Sequence, residues 1–288
     1  MTYREAYEKG MRLLAEQGIE EAKTDARLLL EYVCHTDYQA LYTQSGRILD
    51  EIQEQNYVNY LRKRAERLPV QYLTHSQPFM GMDFYVNQHT LIPRQDTEIL
   101  VEEVMRYLHD GMAVLDLCTG SGCILLSLLR YSNGCFGVGA DISEEALAAA
   151  GENAKMLGFE EKIAQGELIF AQGDLYDALG PDLPAFDVIV SNPPYIRSAV
   201  IPTLMPEVRE HEPLLALDGG ADGLTFYRRI IDGASAFVRR ESALFFEIGA
   251  DQGDAVSGMM RSAGYQDVHV IKDYAGLDRV VRGVRIAG

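Results

Sequence analysis

Four consecutive residues, Asn192-Pro193-Pro194-Tyr195, carry the most pointed chemistry in this chain. A residue that precedes proline is pushed out of the helical region, so Asn192 and Pro193 are both expected to be extended. Each proline also fixes its own φ and donates no hydrogen bond. The loop is therefore stiff and rich in acceptors: one amide side chain, bare carbonyls and one aromatic ring. Such a loop suits a planar group that carries an NH2, either a carboxamide or the exocyclic amine of a base. It follows the apolar run Phe186-Asp187-Val188-Ile189-Val190, which reads as a buried parallel strand. The four residues thus sit at the carboxyl end of a strand, where open α/β sheets place their ligand crevice.

A second constellation lies upstream. The strand Val114-Leu115-Asp116-Leu117 runs into Cys118-Thr119-Gly120-Ser121-Gly122, and a helix follows. Glycines let the backbone approach a ligand closely, and the helix N-terminus offers free N–H groups. A dinucleotide fingerprint needs G-x-G-x-x-G, and Leu125 stands where the third glycine would fall. Counting from Cys118 instead pairs Gly120 with Cys123, so NAD and FAD are disfavoured in both registers. The next strand ends at Asp141, 19 residues beyond Gly122. A carboxylate there can accept from two vicinal ribose hydroxyls. The third strand ends near Gly173-Asp174-Leu175, where Asp174 can accept from an adenine amino group with Leu175 against the ring. A glycine turn, a ribose acid and a polar third-strand end, without a pyrophosphate signature, describe S-adenosyl-L-methionine better than a dinucleotide.

The elements that must position these residues fall into three stretches. Residues 1–70 read as helices only: Tyr3 to Gln17, Glu20 to Cys34, a short segment around Ala40-Leu41-Tyr42, and about Asp50 to Arg67. Their one basic cluster, Arg62-Lys63-Arg64 with Arg67, reads as a solvated helix end. Residues 71–92 are β-prone, with Gln71-Tyr72-Leu73-Thr74 and Met82 to Val86 as the arms of a hairpin around Gly81. Leu91-Ile92-Pro93-Arg94-Gln95-Asp96-Thr97-Glu98 then opens a helix to about His109, with Thr97 or Asp96 as its cap. From residue 112 strands and helices alternate, which implies a parallel sheet with helices on both faces. The strands are Met112 to Leu117, Phe136 to Asp141, Glu167 to Gln172, the Asp187 run, Ala243 to Ile248, Val268 to Lys272 and Arg279 to Ile286. A helix is expected at about Leu224 to Arg239, and the last two strands are joined by a short turn at Gly276, which makes one of them antiparallel.

Composition narrows the partners. A formal charge of −17 repels phosphate backbones unless basic residues are concentrated locally, which weighs against a nucleic-acid substrate. No apolar run reaches the ~18 residues of a membrane span. The start, Met1-Thr2-Tyr3-Arg4-Glu5, lacks the pattern of a signal peptide. Four cysteines without a Cys-x-x-Cys pair fit a reducing cytoplasm.

Over nearly its full length the chain resembles the protein-glutamine N5-methyltransferases that modify peptide-chain release factors. The likeness rests on Gln71-Tyr72-Leu73, on Leu91 to Arg94 with Thr97-Glu98, on Asp116 to Gly122 and on Asn192 to Tyr195. Further along it continues in Glu212-Pro213 with Ala216-Leu217, Gly220 to Leu224, Glu247-Ile248-Gly249 with Gln252, and Ala275 to Arg279. Cys118 stands where the family has glycine, and Arg94-Gln95-Asp96 replaces its arginine-proline-glutamate. The resemblance implies a seven-stranded, mostly parallel, Rossmann-like class I methyltransferase domain over residues 93–288. A helical substrate-recognition domain (1–70) and a β-hairpin linker (71–92) would precede it. It also implies methyl transfer from S-adenosyl-L-methionine to a glutamine side-chain nitrogen in the Gly-Gly-Gln loop of class I release factors. By the same resemblance Cys118 to Gly122, Asp141, Leu175 and Asn192 line the cofactor, and Asn192, Pro193, Pro194 and Tyr195 hold the glutamine. The enzyme would be a cytoplasmic monomer that uses no metal and binds neither membrane nor nucleic acid. Three other readings share parts of this pattern: a glutamine methyltransferase of a ribosomal protein, an adenine-N6 methyltransferase of nucleic acid, and a silent binding protein on the same scaffold.

Overall fold

In the computed structural model, which describes residues 1–286, helices fill the first quarter of the chain. These are α1 (Tyr3–Glu16), α2 (Ala22–Cys34), α3 (Tyr38–Thr43), α4 (Glu51–Ala65) and α5 (Val70–Thr74). A hairpin follows, β1 (Gln77–Phe79) and β2 (Met82–Phe84), and then α6 (Gln95–Tyr107). Next come β3 (Ala113–Leu117), α7 (Cys123–Arg130), β4 (Phe136–Asp141), α8 (Glu144–Met156), α9 (Glu160–Ala164), β5 (Leu168–Gln172) and β6 (Phe186–Ser191). The chain closes with α10 (Pro206–His211), α11 (Thr225–Ala234), β7 (Val238–Glu247), α12 (Gly253–Ser262), β8 (Gln266–Lys272) and β9 (Asp278–Ile286).

These elements form two units, Met1–Ser76 with Met205–His211, and Gln77–Leu204 with Glu212–Gly288. In the first, reciprocal capping boxes start α1 (Thr2 with Glu5) and α4 (Asp50 with Gln53). Tyr3, Leu14, Leu29, Leu30, Tyr57 and Leu61 are fully buried in its core. Arg64 was expected in solvent; instead it is buried, donating to Asp25 at 2.7 Å and to Glu207 of α10 at 3.1 Å. Gln71-Tyr72-Leu73-Thr74 is also corrected: it is α5, not a hairpin arm. Val70, Tyr72 and Leu73 are buried, and burial outweighs their β-propensity. The arm is Gln77–Phe79, joined to β2 through Met80 and Gly81, whose φ of 48° and 70° suit a two-residue hairpin turn.

In the second unit the sheet order is β5-β4-β3-β6-β7-β9-β8, parallel except for β9, which runs antiparallel to both its neighbours. The expected seven-stranded, mostly parallel architecture is present, with one apolar cluster on each face. Residues of α6 and α7 build one cluster, and residues of α11 and α12 build the other. Strand β7 starts at Val238, and α11 stops at Ala234, shorter than the helix expected to Arg239. The polar Arg239-Arg240-Glu241 stretch lies within this strand, which pairs with β6 from Phe186↔Val238. Strand β3 lies between β4 and β6, so connections leave it toward opposite edges of the sheet. The crevice at such a switch point opens at the carboxyl ends of the strands.

Candidate active site

The parallel register of β3 and β6 pairs Leu117 with Ser191, which places Cys118 and Asn192 on adjacent strand ends. The Ser191 hydroxyl donates to the Leu117 carbonyl at 2.6 Å and locks that alignment. The Asn192 Nδ2 donates to Thr97 Oγ1 at 3.4 Å. Among the described residues no hydrogen bond takes its Oδ1. The chain at residues 217–219, beyond α10, backs the loop: Ile196 N donates to Leu217 O at 3.0 Å, and Gly219 N donates to Ile196 O at 2.8 Å. A Cβ at Gly219 would lie 2.7 Å from Tyr195 Cα, so only glycine allows this approach. Gln252, buried, donates to Tyr195 O at 3.0 Å and to Gly223 O at 3.1 Å.

The turn after β3 lines a cavity of about 340 Å³. Its residues Cys118, Gly120 and Gly122 have φ of 61°, 56° and 78°. The first is not a glycine, yet Cys118 takes the left-handed backbone that glycine adopts freely. Burial holds its thiol well above the usual range, so it stays protonated. Asp116 below the turn is fully buried and accepts from the Thr119 hydroxyl at 2.6 Å. Burial pushes its carboxyl up to about 7. Asn153 on α8, buried, donates to Ser121 O at 2.9 Å and exchanges hydrogen bonds with the Tyr85 backbone, tying the turn to the segment after the hairpin. Asp141 accepts from Gly120 N at 2.9 Å and from Ser143 N at 3.0 Å, and burial raises its pKa.

This cavity brings together most of the residues singled out from sequence. Cys118, Thr119, Gly120, Ser121, Asp141, Asp174, Leu175, Asn192 and Pro194 all line it. Gly122, Pro193 and Tyr195 do not; Gly122 stands at the start of α7, Pro193 is buried, and the Tyr195 ring packs partly buried in the sheet's core cluster. Asp174 is not a bare acceptor: Arg229 of α11 pairs with it at 2.9 Å. Several lining residues carried no signal in the sequence. Phe226 and Arg229 read only as helix positions, and Thr97 read as a helix cap. Arg94 holds the N-cap place of α6, while Thr97 is buried in its first turn and lines the cavity.

The cavity fits S-adenosyl-L-methionine. Asp141 faces it with lone pairs beyond those used by the two backbone N–H groups, as a ribose diol requires. Ile142, Leu175 and Phe226 supply apolar wall for a flat base. Asp116 Oδ1 and Ser121 Oγ are buried at the turn without a hydrogen-bond partner.

Charged groups gather beneath the Asn192 loop. Arg94 pairs with buried Glu212, and Arg279 forms an ion pair with Asp96 at 3.1 Å and donates to Asp273 at 3.0 Å. Glu247 ends β7 beside them; burial dominates and pushes its carboxyl up to about 7.

Known proteins resemble the chain in both parts. Residues 5–74 match the family described as PrmC N-terminal domain, and residues 108–217 match a methyltransferase domain. A release factor glutamine methyltransferase of Clostridium acetobutylicum is 37% identical over 287 residues, covering 99% of each chain. One from Caulobacter vibrioides is 41% identical over 274 residues, covering 94% of this chain and 92% of that one. The crystal structure of a methyltransferase from Pyrococcus furiosus superposes with a TM-score of 0.53 at 16% identity, over 72% of this chain and 90% of that one, a likeness of fold alone.

Proposed function

The chain belongs to the release factor glutamine methyltransferases, and we propose that it methylates the side-chain nitrogen (N5) of the glutamine in the Gly-Gly-Gln loop of class I peptide-chain release factors. It is an S-adenosyl-L-methionine-dependent enzyme of the class I methyltransferase fold. When bound, that cofactor supplies an electrophilic methyl group. Cys118 to Gly122, Asp141, Asp174 and Leu175 would hold it.

A carboxamide nitrogen is a poor nucleophile because its lone pair is delocalised into the carbonyl. The protein's task is therefore positioning and electrostatics. In this reading Asn192 Oδ1 and the Pro193 carbonyl each accept one N–H of the glutamine amide, which fixes the nitrogen and draws electron density onto it. Pro194 shapes the wall beside them, and Tyr195, whose ring packs in the core cluster, anchors the loop from behind. The observation that carries this reading is the orientation of Asn192: its NH2 is engaged by Thr97, so its oxygen is the end left for a donor. The helical unit would supply a second surface for gripping a folded protein. We read the protein as a cytoplasmic monomer without nucleic-acid contacts, in keeping with its unpaired cysteines and acidic charge.

Substituting Asn192→Ala should lower single-turnover methyl transfer to an intact release factor by about 2.7–4 kcal/mol of barrier, the scale for one preorganised hydrogen-bonding group. Mass spectrometry of the treated factor should find one methyl group on one glutamine. Methylation of adenine in nucleic acid, with the factor untouched, would replace this reading.

A further inference from the structure

We infer that Arg229 is a positioning residue for cofactor choice: it aims the Asp174 carboxylate so that the site takes a purine with a 6-amino group and rejects one with a 6-oxo group. The inference rests on the reading that Asp174 accepts from the base of the bound cofactor. Arg229 need not touch the base to do this.

Asp174 follows β5 and lines the cavity together with Leu175, Phe226 and Arg229. Arg229 Nη2 forms an ion pair with Asp174 Oδ2 at 2.9 Å. Among the described residues no other side chain pairs with that carboxylate, so Oδ1 is the atom left for a ligand. The two side chains are 42% and 44% exposed, so the pair adds little to stability. Its effect is on direction: a carboxylate that could swing is tied at one oxygen. Arg229 is itself held. Its guanidinium carbon lies 5.9 Å from the ring centre of Phe226, three residues earlier on the same face of α11. The Tyr176 hydroxyl donates to Ile230 O at 2.8 Å, which ties α11 to the segment that carries Asp174. Between Asp174 and Tyr176, Leu175 takes a φ of 55°, a left-handed backbone that a leucine keeps only where its neighbours fix it.

The choice is one of polarity. Adenine carries an NH2 at its 6-position and a bare ring nitrogen beside it. Hypoxanthine carries an oxygen there and an N–H on the neighbouring nitrogen. A fixed carboxylate oxygen accepts from the amine but meets the 6-oxo group acceptor against acceptor. Released from Arg229, the carboxylate can swing to the ring N–H of hypoxanthine, and discrimination falls.

Calorimetric titration with S-adenosylhomocysteine and with its 6-oxo analogue, S-inosylhomocysteine, reads the preference directly. The wild-type protein should favour the adenine compound on the order of tenfold or more, the scale of one unpaired hydrogen-bonding group. Arg229→Ala should bring the two affinities close together, while its thermal midpoint stays at the wild-type value. Asp174→Asn gives the sharper result. Arg229 can only donate, so it takes the amide oxygen and turns the NH2 toward the base. The preference should then reverse in favour of the 6-oxo compound. In the double variant Asp174→Asn, Arg229→Ala the amide turns freely, and the reversal should disappear. A wild-type preference that survives Arg229→Ala, or a reversal that survives in the double variant, overturns the role of Arg229 and leaves Asp174 at the base. Equal wild-type affinity for the two compounds removes the reading of Asp174, and the inference with it.

Discussion

Asp141 binds two backbone N–H groups and also faces the cavity, so a substitution there acts on loop and ligand together. Asp141→Ala should weaken S-adenosylmethionine binding by about 1.5–3 kcal/mol, the loss of a charged hydrogen-bond partner, as read by calorimetric titration. Affinity equal to wild type would take Asp141 out of the site. Glu247 and Asp116 carry a different consequence. Their folded-state values of about 7 lie above the ordinary 4.5 and 3.8. Across that interval the folded protein holds protons that the unfolded chain has released. The stability this contributes is present in full below the ordinary values and is lost as pH rises through about 7. Urea unfolding should therefore give a lower midpoint at about pH 8 than at about pH 5, and Glu247→Gln should reduce the difference. An unchanged difference would mean that Glu247 does not titrate in that range. None of these environments was legible in the sequence, where Asp116 and Glu247 were only polar residues in apolar strands.

At the scale of elements, the Asn192 loop is stiffened twice. Its prolines restrict it locally, which could be read from four letters. Gln252, at the start of α12, then fixes it from 57 residues away. The Gln252 side chain donates to two carbonyls and accepts from Gly249 N at 2.9 Å and from the Tyr227 hydroxyl at 3.3 Å. Gln252→Ala leaves several buried polar groups unpaired, at ~1–3 kcal/mol each. It should lower the thermal midpoint and reduce turnover more than it reduces cofactor affinity. A variant with wild-type melting would show that water replaces the amide. The segment Gln71–Thr74 teaches the opposite lesson: its aromatic and apolar residues suit a strand, yet burial in the helical unit makes it α5. Local propensity spans only ~1 kcal/mol for strands, which packing readily overrides.

At the scale of the whole molecule, the acidic charge and the separate helical unit favour a folded protein substrate over a free amino acid or a nucleic acid. Binding away from the reacting centre contributes to lowering the barrier. A short peptide that carries the glutamine loop should therefore be methylated far more slowly than the intact release factor, compared as kcat/KM under identical conditions. Equal values would leave the helical unit without a role in recognition. Its composition is less simple than a leading segment: residues 205–211 join it from beyond the Asn192 loop, with Glu207 accepting from Arg64 and from Arg67 at 3.2 Å.

What the sequence by itself determined was local. It showed the stiff acceptor loop at Asn192–Tyr195, the turn at Cys118–Gly122, acids at the next two strand ends, Asp141 and Asp174, and the alternation that makes a parallel sheet. Each of these depends on neighbours a few positions away, where proline, glycine and strand periodicity act directly. The tertiary structure decided what meets what. It set β3 beside β6 so that the two motifs share one cavity, and it placed β9 between β7 and β8. It gave Asp174 the partner Arg229, and it set Thr97 of the first turn of α6 beside the Asn192 amide. Such meetings depend on which apolar faces pack together, and side chains far apart in the chain carry no local sign of their partners.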